Sequence, residues 1–192
     1  MNSLTQVPAG APTDLSFRVV LRSETRAEHD ASEIVFAPFM DDPAGHVAPF
    51  LAAQHAALTA VSCAMADEEA SEIAEILPDL LERLAADCDD LGVEPPVLTP
   101  DQELSCLAGA YLVLGSQMGV AAMRKRAEEA GLSPMPRFFS PVERRSAWAS
   151  VCTKLGDVAP GSADAARLID DTRAGYALYA RAGVLAFGEP AE

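Results

Sequence analysis

The chain has 192 residues, 49% of them hydrophobic, and a formal net charge of −15. That length and apolar share suffice for one compact domain with a real core, and the charge disfavours binding to a nucleic-acid backbone. The 4 cysteines, Cys63, Cys88, Cys106 and Cys152, form no C-x-x-C pair, so free thiols in a reducing cytoplasm are expected rather than disulfides.

In chain order, residues 1–13 read as a flexible arm that lacks the basic start and apolar centre of a signal peptide. From 14 to 188 the sequence reads as one helical domain. Alanine, leucine, glutamate and arginine dominate it, and valine–isoleucine alternation is absent. The predicted class is all-α, a single-domain helical bundle. Its helices are placed at about 14–36, 46–64, 70–91, 101–130, 141–156 and 162–187. Thr99-Pro100-Asp101-Gln102 has the form of a capping box, and Ser140-Pro141-Val142-Glu143 repeats it. Breaks are expected at Asp41-Asp42-Pro43, at Gly92 to Pro96 and across Gly131 to Pro141. The run LAGAYLVLGSQMGVAAM (107–123) falls short of the roughly 20 residues a bilayer needs. It also contains three glycines and a glutamine. A buried helix is predicted there, and no membrane association.

Residues three, four and seven apart share a helix face. Arg18, Arg22, Arg26, His29 and Glu33 therefore form one stripe ending at Phe36, with Val20, Ala27, Ala31 and Ile34 on the opposite side, expected to meet the core. One reading of the stripe is a solvated polar face. The other starts from three neighbouring arginines in an acidic chain, which repel one another unless an anion lies beside them. Glu33, one turn from His29, is placed to accept from the ring and leave its other nitrogen for a metal.

Gly115 and Gly119 stand one turn apart in the apolar run. Each costs about 1 kcal/mol against alanine in a helix interior. Either two helices cross closely there or the helix kinks, or a flat ligand lies on the bared backbone, with Ser116 and Gln117 supplying polar contacts.

Together these stretches resemble heme oxygenase. The first carries that family's T-(K/R)-x-x-H-x-x-x-E pattern as Thr25 to Glu33. The second matches Y-V-L-E-G-S-x-L-G-G of the bacterial branch as Tyr111 to Val120. Between them, Leu80 to Leu84 followed by Asp89-Asp90-Leu91 is similar to the family's R…DL helix. The glycine–serine form is similar to the branch that makes biliverdin for bacterial phytochromes.

The resemblance implies heme as substrate and cofactor, with His29 as the iron's proximal ligand and Glu33 as the partner of that histidine. Arg22, Arg26 and Arg145 would lie near the heme propionates. Gly115 and Gly119 would face the distal side, and Ser116 would stand where many relatives carry an aspartate that orders water. Val120 replaces the second glycine of the usual pair and adds a branched side chain that would either crowd the ligand or point into the protein. The products implied are biliverdin, carbon monoxide and ferrous iron. An external reductase, ferredoxin or flavodoxin would supply electrons, and a bacteriophytochrome would accept the bilin.

A heme carrier or sensor that leaves the ring intact is the competing expectation, and Val120 favours it. A di-iron oxidase needs several inward carboxylates and histidines, whereas the chain has 3 histidines and no inward E-x-x-H. A thiaminase-like hydrolase needs an activated cysteine, and Cys106 has no basic neighbour in the sequence. His46 is expected at the surface, His55 in the core or at an interface, and Trp148, Tyr176 and Tyr179 in the core or at its rim.

Overall fold

The computed structural model describes residues 16–65 and 72–188. The arm expected over 1–13 lies outside them, as do the first two positions of the helices expected over 14–36 and 70–91. The described residues form α1 (Phe17–Glu24), α2 (Arg26–Asp41), α3 (Pro43–Ala64), α4 (Ile76–Leu91), α5 (Cys106–Glu129), α6 (Arg145–Gly156) and α7 (Ala163–Phe187), with a 3-10 turn at Arg137–Phe139. The all-α class is as predicted; outside the helices one isolated bridge joins Met65 to Leu104.

The first predicted helix is two. At Thr25 both the backbone N–H and the hydroxyl donate to the Leu21 carbonyl, at 3.0 and 2.8 Å, and the backbone leaves helical geometry at φ −108, ψ 12. A threonine that bonds back to a carbonyl one turn earlier bends the chain. α2 then runs past the predicted end, through Pro38, to Asp41.

The core face of α2 also differs from the prediction. Ala27 and Ala31 are exposed, and Ile34 is 62% exposed. The buried side is instead Ser32, Val35, Phe36 and Phe39. Large aromatics remove more apolar surface from water than alanine methyls do, so they decide which way the helix turns.

The most extensive packing is between α3 and α7; α2 and α5 lie on α7, α4 on α3, and α6 on α5. An aromatic stack fills the centre. Phe39 and Phe50 are stacked at 4.1 Å, and Phe139 lies parallel to Phe50 at 5.9 Å. The turn that delivers Phe138 and Phe139 is held by Asp87 of α4. Its carboxylate, 3% exposed, accepts the backbone N–H groups of Arg137 at 2.9 Å and Phe138 at 2.8 Å, and the Arg137 guanidinium at 3.1 Å. A buried carboxylate is tolerated here because each of its oxygens has a donor.

Neither predicted capping box starts a helix. α5 begins at Cys106, because Asp101 pairs with Arg181 at 2.7 Å and Gln102 points to Asp171 at 3.5 Å. Asp171, buried on α7, accepts the Ser105 N–H at 2.9 Å. α6 begins at Arg145, whose N–H donates to Glu143 at 2.9 Å. Partners distant in sequence outcompete the local cap in the first case. By length and hydropathy α3 and α5 could cross a membrane, yet each presents many residues to the core.

Candidate functional site

α2 and α5 both pack against α3 and α7 but scarcely against each other. The space between them is a cavity of about 920 Å³, within the range of roughly 300–1,000 Å³ typical of small-molecule sites. A smaller cavity of about 500 Å³ lies between Leu91 and Pro134. Its Arg137 is already paired with Asp87 and Asp90, so its charged groups are satisfied.

The α1–α2 wall of the large cavity carries the predicted stripe intact. Arg18, Arg22, Arg26, His29, Glu33 and Phe36 all line it. The His29 side chain is 41% exposed. Its Nδ1 lies 3.3 Å from Asp30 Oδ1, and its Nε2 lies 3.7 Å from Glu33 Oε1. The second distance is beyond a hydrogen bond. Asp30, which the sequence reading passed over, is thus the carboxylate that touches the ring. The Arg26 guanidinium holds Asp30 at 2.8 Å and keeps its carboxyl below the usual acidic range. Arg18 and Arg22 have no ion pair among the described residues and face the cavity as free cations.

The α5 wall carries Gly115, Ser116, Gly119 and Val120. A Cβ added at Gly115 would meet nothing within 4 Å, and one at Gly119 would meet only Met123 Cε at 3.5 Å. The close-crossing reading is therefore overturned for this pair. Helix contacts that require glycine occur elsewhere. A Cβ at Gly175 would fall 2.0 Å from Leu112 Cδ1, and one at Gly183 2.8 Å from Val35 Cγ1. The Ser116 hydroxyl donates to Val113 O at 2.8 Å, which leaves its lone pairs as acceptors. Val120 is 7% exposed and forms part of the wall.

Aromatic side chains close the remaining side. The Tyr176 ring stands edge-on to His29, with centroids 5.4 Å apart and an interplanar angle of 84°. Burial raises the pKa of the Tyr176 and Tyr111 phenols. Tyr111 stacks on Trp148 at 5.9 Å. Tyr179 is buried beside Ser116, and burial pushes its hydroxyl up to about 12. Gln54 of α3 also reaches the cavity.

The structure does not bring every candidate together. Arg145 sits exposed at the start of α6 and is not among the lining residues, although Trp148 of that helix is. His46 bonds through Nδ1 to Asp42 O at 3.0 Å, and neither it nor His55 reaches the cavity. Cys106 lies outside it too. The four cysteines form no disulfide, and burial pushes the Cys88 thiol up to about 11.

A solved structure shares this architecture. It is the heme oxygenase from Neisseria meningitidis, determined with nitric oxide and with carbon monoxide bound. The superposition has a TM-score of 0.68 over 93% of this chain and 95% of that one, at 22% identity. At that identity the likeness shows the fold, the helical heme oxygenase fold. No family model and no curated protein matches the sequence.

Proposed function

We propose that this protein binds heme in the α2–α5 cavity and cleaves it oxidatively to biliverdin, carbon monoxide and ferrous iron. One observation carries the reading: an imidazole and the glycines Gly115 and Gly119 line opposite walls of one cavity, with open space where a Gly115 side chain would stand. A flat aromatic ligand fits such a space, and a histidine nitrogen suits its iron. When bound, heme supplies both the metal that activates oxygen and the carbon that is attacked.

The residues of the chain have distinct tasks. Asp30 accepts from Nδ1–H of His29, which fixes the tautomer and leaves Nε2 as the donor to the metal. Glu33, at 3.7 Å from Nε2, flanks the ligand position rather than supporting the ring from behind. Arg22 and Arg18, without an ion pair among the described residues, bind the two carboxylates of the ligand and set its orientation; Arg26 contributes less, because Asp30 already occupies it. Gly115 and Gly119 would let a flat ligand lie close to the α5 backbone. Ser116, its proton committed to Val113 O, accepts a hydrogen bond from a water in the cavity and so orders the proton supply. The reductant is an external ferredoxin, flavodoxin or reductase that docks on the Arg18–Arg22–Arg26 stripe. A bacteriophytochrome is the bilin acceptor, a proposal that rests on the Gly115-Ser116 motif.

Val120 supports a second reading, a carrier or sensor that leaves the ring intact, because its branched side chain occupies the wall beside Gly119. One experiment separates them. Hemin is added to wild type and to His29→Ala, and the complex is exposed to ascorbate and air. Loss of the Soret band with growth of bilin absorbance supports cleavage; a persistent band supports the carrier. A His29→Ala complex with the wild-type spectrum refutes the assignment of the iron ligand. For the docking patch, the rate of reduction by an acidic ferredoxin should fall as salt rises, and a salt-independent rate would remove that role from the arginines.

A further inference from the structure

Three methionines edge the large cavity: Met40 from the end of α2, and Met118 and Met123 from α5. Met40 is 38% exposed and Met118 is 56% exposed, among the few large apolar side chains that the fold leaves in water. The Met123 methyl lies 3.5 Å from where a Gly119 Cβ would be, so this side chain folds over the bared glycine. The lip of the cavity is thus built of thioethers from both walls that the cavity separates. Methionine is flexible and polarisable, which suits an apolar edge that adapts to a planar ligand. It is also the apolar residue that peroxide converts to a polar one.

We propose that Met40 and Met118 form an oxidation-sensitive lip that controls ligand retention in this cavity. The inference rests on the heme reading above, because a site fed with reductant and oxygen is a local source of hydrogen peroxide. In the step itself one thioether sulfur takes an oxygen atom from hydrogen peroxide. The O–O bond breaks, an S–O bond forms and water leaves; the sulfur is oxidised by two electrons and the peroxide is reduced by two. The sulfoxide oxygen is a strong acceptor placed against an apolar ligand edge. It either stays unpaired there or pulls the side chain away into water. Both outcomes weaken the contact and open the cavity. Reduction by a dithiol-linked sulfoxide reductase restores the thioether, so the change is reversible.

The test uses the full chain without heme, with its thiols alkylated beforehand because Cys63 is exposed. The protein is treated with hydrogen peroxide, the oxidised methionines are mapped by peptide mass spectrometry, and hemin affinity is measured by Soret titration. Met118 and Met40 should gain oxygen well before Met65, which is 7% exposed. Hemin affinity should then fall about tenfold, the scale of one unpaired polar group at an apolar contact, with the helical circular dichroism unchanged. Met40→Leu/Met118→Leu, nearly volume-conserving, has no sulfur at the lip to oxidise, so its hemin affinity after peroxide should equal its own affinity before it. Oxidation of both sulfurs with no change in hemin affinity would overturn the proposal, as would an equal loss in the double variant. Failure of the untreated protein to bind hemin would instead overturn the heme reading, and this proposal with it.

Discussion

Gly115→Ala separates a glycine kept for a ligand from one kept for packing. The new methyl would meet nothing within 4 Å, so no clash opposes it. In a helix interior alanine is favoured over glycine by about 1 kcal/mol. The variant without heme is therefore expected to be more stable than wild type, with Tm raised by about 2–4 °C for a domain of this size. The same methyl projects into the α2–α5 cavity, where the flat face of the ligand would lie, so hemin affinity should fall. Gly175→Ala gives the opposite pattern. Its methyl falls 2.0 Å from Leu112 Cδ1 and 3.2 Å from Leu112 Cγ, so Leu112, 2% exposed at the α5–α7 contact, must be displaced to admit it. Overpacking of this kind costs about 1–3 kcal/mol, so Tm should drop. Thermal melts followed by circular dichroism, with and without hemin, read both effects. A lower Tm for Gly115→Ala without heme would mean that this helix face is packed rather than open. Unchanged hemin affinity would mean that no ligand lies on it.

Other perturbations give equally definite outcomes. Val120→Gly is expected to speed ring cleavage under ascorbate and air while lowering Tm; a rate no faster than wild type shows that the valine does not crowd the ligand. Burial lowers the pKa of His55 from its ordinary 6.5, so the unfolded chain binds the proton more readily than the folded one. The stability due to neutral His55 is thus present above pH about 6.5 and is lost as pH falls toward the folded pKa, below which the penalty is constant. His55→Gln should flatten that part of the Tm-against-pH curve, and an unaltered slope would show that other groups produce it. Asp87→Ala removes the acceptor for the Arg137 and Phe138 N–H groups and should cost about 3 kcal/mol, read as a shift in the urea midpoint; a loss under about 1 kcal/mol would mean that the Phe138–Phe139 turn holds itself.

What the sequence determined by itself was local and periodic. Helical class follows from composition, and the spacing of Arg18, Arg22, Arg26, His29 and Glu33 puts them on one face whatever that face meets, even across the break at Thr25. The glycine pair was visible as an energetic anomaly. What it meant was not, because an absent side chain leaves the same mark in a close contact and in a cavity wall; only the empty space around Gly115, set against the crowding at Gly175, decides.

The tertiary structure likewise chose the buried side of α2, where Phe36 and Phe39 join an aromatic cluster gathered from α3 and the Arg137–Phe139 turn. It chose the start of α5, because Asp101 and Ser105 find partners on α7, and it chose Asp30 rather than Glu33 to touch His29. The physical reason is common to the first two of these cases. A helix fixes which of its own residues are neighbours through its period, whereas the partners of those residues come from elements brought close only when the chain folds.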